Sequence, residues 1–422
     1  MASADRRHGH FHELETQTAE DRRARHWAGL SSLVARAYHT GSELRGRLEA
    51  AGLMPSDIRT FEDFQAIPVL RKKDLLGLQR KGDRLGGLVA CELGRLSRLY
   101  QSPGPIYDPE GPGPDYWGWA EAFFAAGFRP GDLVQMTFSY HLTPAGLMLE
   151  EPLRAIGCAV IPAGPGNTEV QVELLSTLPV TGFVGMASYL EVIADKAEAK
   201  GFDLKNDLRL EVAFVAAERL PESLRKSLEE RLGLIVRQGY GTADVGAIAY
   251  ECPELTGMHL SSRAYVEIVD PASGAPVAPG EIGEVVVTPF SEVYPLVRLA
   301  TGDLSRLVDS PCPCGRTAPR LAGILGRVDD TAKVKGQFIY PAQAAEVAAL
   351  FPEIAGFQLV VENPGGKDRL TVCLELAGEL DQEAFCRKFQ ERCKLKPQVA
   401  VLGPGESLEK SAPRLVDKRT FD

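Results

Sequence analysis

Cys312-Pro313-Cys314-Gly315 sets two thiols one residue apart on a turn, and Cys252, with six residues between it and His259, supplies two further soft ligands upstream. Proline and glycine shape a turn whose backbone N–H groups can face thiolates. Three cysteines and one histidine make a tetrahedral Zn²⁺ set; with all four positions filled by protein, such an ion braces structure and leaves no place for a reacting water. The alternative is a group of reduced core cysteines, the reading given to Cys91, Cys158, Cys373, Cys386 and Cys393. A second cluster lies at Gln238-Gly239-Tyr240-Gly241-Thr242-Ala243-Asp244, where a strand ends in a glycine-rich turn bearing an aromatic ring, a hydroxyl and an acid. Taken alone it is weak evidence, because glycine-rich strand ends are common and an acid there often serves the turn.

The elements that must hold these residues can be read from periodicity. Residues 19–53 repeat apolar positions (Trp27, Leu30, Leu33, Val34, Tyr38) at helical spacing, and 115–126 reads as a further helix. From Leu133 to Gln238 strand-like and helix-like pieces alternate: strands at 133–138, 158–162, 182–184, 210–216 and 234–238, helices at 169–178, 187–199 and 221–231. That alternation predicts parallel βαβ units in a layered α/β domain. Between Ala264 and Arg306 the period becomes two with frequent turns, the mark of an antiparallel section. Beyond Arg327 a helix (341–350), two strands (356–361 and 370–376), a helix (382–393) and a strand (399–402) make a small α+β domain. The expected division is 1–328 and 329–422.

Bulk properties narrow the class. The chain has 422 residues with a formal net charge of -10 and no compensating basic stripe, which argues against a nucleic-acid partner. No apolar run is long enough to span a bilayer. The first twenty residues are polar and lack the apolar core of a secretory signal. Eight cysteines without regular spacing point to a reducing compartment, so a cytoplasmic protein is expected.

Four segments in order carry a resemblance: Gln238 to Asp244; Arg298-Leu299-Ala300-Thr301-Gly302-Asp303; Gly326-Arg327-Val328-Asp329-Asp330; and Lys333-Val334-Lys335-Gly336. They resemble the adenylate-forming superfamily. Within it the chain is similar to the phenylacetate–CoA ligase family, with support from Gly52-Leu53-Met54-Pro55, Ala163-Gly164-Pro165-Gly166-Asn167-Thr168-Glu169 and Lys335-Gly336-Gln337-Phe338-Ile339-Tyr340-Pro341. The resemblance implies a large N-terminal adenylate-forming domain, a small mobile C-terminal domain, ATP, Mg²⁺ and CoA as ligands, a small carboxylic acid as substrate and a homodimer. It implies that Tyr240, in one turn with Gly241 and Thr242, stacks on adenine, that Glu218 lies beside the purine, and that Asp303 holds the ribose hydroxyls. Arg327 matches an arginine that contacts ribose or phosphate, Asp329 the hinge, and Lys335 with Gly336 the path of CoA. Asp244 stands where the family has a glutamate that helps hold Mg²⁺, one methylene shorter. His141 and Ala216 fall near the acid pocket of relatives. Some relatives carry the Cys–His set and others lack it, which suits a structural role.

Two segments depart from the pattern. A phosphate loop works by aiming successive backbone N–H groups and hydroxyls at the anion. Residues 101–114 instead carry Pro103, Pro105, Pro109, Pro112 and Pro114, which donate nothing, and Asp108 and Glu110, which repel a triphosphate. Near the C-terminus, aligning on Arg414 and Asp417 puts Ser411 where the family has its adenylation lysine; Lys410 lies one residue earlier and points elsewhere in an extended segment. Two readings follow: an acid–CoA ligase that proceeds through an acyl-adenylate, or a ligase-like protein that binds nucleotide, acyl group or CoA without adenylation.

Overall fold

The computed structural model describes residues 5–82, 84–102, 106–328, 331–334, 337–362, 364, 369–403, 406–408 and 413–419. The chain divides into two compact units, one of residues 1–301 and 305–323, the other of 302–304 and 324–422.

The first unit is built on a nine-stranded sheet. Five strands are parallel, in the order Ala159–Pro162, Leu133–Met136, Gly182–Gly185, Val212–Val215, Ile235–Thr242. Their residues are mostly apolar on both faces, as expected of strands covered by helices such as Ala145–Ile156 and Ala187–Ala199. At Ile235–Thr242 the direction of pairing reverses: Gly246–Glu251, Met258–Leu260, Arg320–Leu321 and Leu307–Val308 continue the sheet antiparallel. The glycine-rich turn therefore lies at the seam between the two halves. A second sheet contains Ala264–Val269 and Gly283–Pro289, paired antiparallel from Ala264↔Pro289 to Val269↔Glu284, followed by Leu299–Ser305 and the short Leu70–Arg71. The period-two section of the sequence is thus the antiparallel one it predicts.

Three expectations need adjustment. The opening helical stretch is two helices, Ala19–Thr40 and Ser42–Ala50, parted at Gly41, where a Cβ would sit 2.3 Å from the Gly87 carbonyl oxygen. The helix expected from Asp115 runs only from Ala120 to Ala126. Asp115 instead caps it from outside, accepting from the Trp119 N–H at 2.9 Å. The strand expected over 234–238 extends to Thr242, carrying the glycine-rich turn into the ladder itself.

The second unit has its own core, in which Phe385 and Phe389 of the helix Gln382–Cys393 pack with Leu359, Leu374 and Val347. Its sheet runs in the order Gln398–Val401, Arg369–Leu376, Ile354–Glu362, Leu415–Asp417. The first three strands match those expected; the fourth, parallel to Ile354–Glu362, was too short to read in the sequence.

Candidate active site and metal centre

The hairpin Ile235–Thr242/Gly246–Glu251 brings Tyr240, Gly241, Thr242 and Asp244 together. Its register shifts between Tyr240 and Gly241, a bulge that redirects the following side chains. Gly241 is required there: a Cβ would lie 2.2 Å from the Gly246 carbonyl oxygen and 2.5 Å from the Trp119 ring. Tyr240 is 9% exposed and belongs to the core beneath the sheet, its hydroxyl donating to Thr301 Oγ1 at 3.2 Å. The Thr242 hydroxyl oxygen is buried without a hydrogen-bond partner among the described residues. Glu218 follows the neighbouring parallel strand Val212–Val215, which pairs Val215 with Gln238 of the hairpin. Its two oxygens accept from the Ser188 N–H (2.7 Å) and hydroxyl (2.9 Å) at the start of the helix Ala187–Ala199, a favourable place for a carboxylate. Ala217 beside it is held at φ +70°, in the left-handed region a side chain seldom enters.

Asp244 is not presented to solvent. Its side chain is fully covered and pairs with Lys72 Nζ at 2.6 Å, so it offers no exposed oxygen to a cation as placed. The short Asp side chain draws the carboxylate inward toward Lys72 at the start of the helix Lys72–Gln79. Asp108 is equally buried, on the hairpin Arg98–Gln101/Tyr107–Glu110 that frames the proline-rich segment. Burial, and after it the charge of Asp244, push the Asp108 carboxyl up to about 7. Glu110, expected to face phosphates, is turned inward as well. It accepts from the Tyr100 hydroxyl (2.6 Å) and pairs with Arg98 (2.5 Å). Both acids of the departing segment therefore serve the interior. The pairing of Lys72 with Asp244 and the burial of Asp108 are functional-site features the sequence reading missed; a lysine 172 positions from its partner leaves no local signal.

In the second unit Asp303 and Arg327 are cross-strand neighbours, Arg327 Nη1 donating to Asp303 Oδ1 at 2.6 Å, with Asp303 mostly covered and Arg327 half exposed. Gly302, at φ +81°, leaves room for the guanidinium: a Cβ there would lie 2.9 Å from Arg327 Nη2. Lys335, Gly336, Asp329, Lys410 and Ser411 lie outside the described residues. His141 is exposed on its loop.

Cys252, His259, Cys312 and Cys314 do converge, their ligand atoms all within 4.8 Å of one another. Cys252 follows the strand Gly246–Glu251, His259 lies in the adjacent Met258–Leu260, and the two later thiols sit in the loop that enters Arg320–Leu321. The Cys252 and Cys312 sulfurs are 3.7 Å apart, and Cys314 Sγ is 3.4 Å from His259 Nε2. Tetrahedral Zn²⁺ with bonds of about 2.3 Å to sulfur and about 2.0 Å to nitrogen gives edges of about 3.5–3.8 Å, so the set fits the ion. His259 Nδ1 lies 3.3 Å from the Ala318 carbonyl oxygen, where a donated N–H leaves Nε2 free to ligate. The Cys252 thiol and then His259 hold Cys314 well below the usual thiol range, toward the thiolate a metal binds. The Arg316 N–H, 3.5 Å from Cys314 Sγ, is one of the donors expected from the turn.

The same loop is braced by the N-terminal segment, which the sequence reading passed over. Arg316 Nε donates to the buried Glu15 carboxylate at 2.6 Å, and the Thr317 N–H donates to the Glu15 carbonyl oxygen at 3.0 Å.

The family model of AMP-binding enzymes matches residues 122–289, the parallel half of the large sheet and its first antiparallel strands. A phenylacetate–coenzyme A ligase of Thermus thermophilus is 31% identical over 97% of this chain and 98% of its own, and one of Pseudomonas putida is 30% identical over 87% and 84%. In fold, the chain is similar to an open conformation of 2-hydroxyisobutyryl-CoA ligase, with a TM-score of 0.83 at 24% identity over 96% of this chain and 93% of that one. The chain belongs to the phenylacetate–CoA ligase family of adenylate-forming enzymes.

Proposed function

We propose that this protein joins a small carboxylic acid to CoA in two steps. The acid's carboxylate oxygen attacks the α-phosphorus of ATP and pyrophosphate leaves; the CoA thiol then attacks the acyl carbonyl and AMP leaves. The observation that carries the reading is similarity to an acid–CoA ligase along 97% of the chain, through both units. Catalysis of such transfers rests on positioning and on cations that spread phosphate charge. In this reading Tyr240, Gly241, Thr242 and Glu218 border the adenine, Asp303 and Arg327 take the ribose, and Lys335 and Gly336 line the approach of CoA. Asp329 is the hinge between a domain of residues 1–328 and one of 329–422. Lys410 is the nearest candidate for the missing adenylation lysine. Mg²⁺ bound with ATP would supply charge neutralisation, and Asp244 would reach it only by leaving Lys72. The Cys252–His259–Cys312–Cys314 set holds a structural Zn²⁺. A homodimer in the cytoplasm, where the free thiols stay reduced, completes the reading.

The test is pyrophosphate release by the purified protein with Mg-ATP and a panel of aryl and short-chain acids, with and without CoA. Release that depends on one acid is expected and names the substrate class. A second reading, in which the chain binds nucleotide, acyl group or CoA without adenylation, is favoured by one observation: Asp244 is closed off by Lys72 and Asp108. It replaces the first if no acid gives release while ATP or CoA still raises the melting temperature.

A further inference from the structure

A cavity of about 390 Å³ lies in the first unit between the opening helix and the antiparallel half of the large sheet, and it contains none of the nucleotide-side residues. Arg22, Arg25 and His26 line it. They stand at helical spacing on one face of Ala19–Thr40. Neither arginine forms an ion pair among the described residues. Arg22 reaches the Thr317 hydroxyl at 3.0 Å; Arg25 reaches the Ser262 carbonyl oxygen at 2.9 Å, Gln17 Oε1 at 3.4 Å and His26 Nε2 at 3.3 Å. The other end of that amide, Gln17 Nε2, is a buried donor with no acceptor among the described residues. Of the two carboxylates in the wall, Glu15 is paired with Arg316, while Glu121 accepts from the Ser262 N–H at 2.7 Å and its Oε2, 3.3 Å from His12, has no hydrogen bond among the described residues; the charge of Glu121 also acts on Arg25, and that of Asp309 on Arg22. One unmatched donor, the Gln17 amide, and two arginines without an ion pair among the described residues thus meet at one end of the cavity. The remainder is apolar, with Phe61 and Tyr265 in ring contact at 5.6 Å and Leu260 and Leu307 beside them.

We infer that this cavity is a second binding site, for a small carboxylate with an aromatic body, whose carboxylate is taken by Arg22, Arg25 and the Gln17 amide while its ring lies against Phe61 and Tyr265. Half-buried guanidiniums without a counterion are costly, and an anion that brings its own apolar surface relieves both the charge and the unpaired donor. The volume suits a ligand of that size. Burial first, then Arg25 and Arg22, push His26 down to about 4, so its ring is neutral at pH 7 and acts as an acceptor beside the site.

The experiment is NMR of the full chain labelled at histidine with ¹⁵N, the His26 ring signals assigned with His26→Gln, titrated at pH 7 with benzoate, its neutral isostere benzamide, and inorganic phosphate. Benzoate should move the His26 signals saturably, with half-saturation at or below roughly 1 mM, and Arg25→Gln should weaken that response at least tenfold. Benzamide and phosphate should each bind at least tenfold more weakly. The inference is overturned if benzoate leaves His26 unmoved, if benzamide or phosphate matches it, or if both Arg25→Gln and Arg22→Gln respond as the parent does. The comparison of benzoate with benzamide needs no variant, so an unfolded variant leaves the test intact.

Discussion

Asp244 and Asp108 are both buried, and the partly exposed Lys72 reaches Asp244 at 2.6 Å, so their balance is set by proton affinity as much as by distance. The Asp108 carboxyl, raised to about 7 by burial and by Asp244, is protonated more readily in the folded chain than in the unfolded one. Between the ordinary carboxylate range near pH 4 and about pH 7 the folded state therefore binds more protons than the unfolded state. Stability from this group is fully present below that window and is lost as the pH rises through it. Asp108→Asn, which stays neutral, should flatten the fall in urea-unfolding stability between pH 4 and 7. An unchanged slope would mean that Asp108 is ionised in the fold. The burial of Asp108 thus leaves a signature that can be read without any substrate.

At the scale of elements, two devices fix the hairpin that carries Tyr240 and Asp244. One is the close approach at Gly241, where backbone and the Trp119 ring leave no room for a methyl. Gly241→Ala should cost about 1–3 kcal/mol in chemical denaturation, the range seen when extra atoms are forced into packed structure; a neutral effect would mean that the hairpin is loose enough to yield. The other is the Cys–His cluster, which with a bound zinc ion would tie the end of Gly246–Glu251, the strand Met258–Leu260 and the 312–314 loop into one unit. One zinc per chain by elemental analysis is expected. Cys314→Ser should lower the metal content and, through a loss of about 2–3 kcal/mol, reduce Tm by roughly 3–5 °C. Full stability in metal-free protein would return the cluster to a set of reduced core thiols.

Across the whole molecule, the segment before the first long helix closes a loop of about three hundred residues. Glu15 and Arg316 are 301 positions apart, both almost wholly buried, and joined at 2.6 Å. The Arg316 guanidinium also donates to the Gly9 carbonyl oxygen at 3.2 Å, and Glu15 accepts from the Phe11 N–H. Breaking one side of such a pair strands a charge in the interior, so Arg316→Met should destabilise the first unit by about 3–5 kcal/mol. Adding Glu15→Gln should recover part of that loss, because the stranded charge is removed; a double variant no better than the single would show that packing, and not the ion pair, holds the strap. The second unit, with its own core around Phe385 and Phe389, should show no change in amide exchange in either variant.

Much of this architecture was written locally. Alternating apolar runs and helical repeats placed the five parallel strands to within a few residues, because a strand buried on both faces and a helix buried on one each impose a period on their own sequence. The cysteine and histidine spacing marked the four residues that converge, since soft ligands are few and a Cys-Pro-Cys turn is a local object. The ordered glycine, aspartate and arginine segments were enough to indicate the family. What only the tertiary structure decided is where the charges go. Asp108 and Glu110 read as acids facing phosphates, yet both turn inward. Asp244 read as a cation ligand, yet it meets Lys72. Arg22 and Arg25 carry no signal in the helical pattern of 19–53, yet they line a cavity and form no ion pair among the described residues. A charge is stabilised by whatever partner the fold brings within a few ångströms, and that partner can lie anywhere along the chain. Periodicity reports which face of an element is buried; only the assembled chain determines what that face meets.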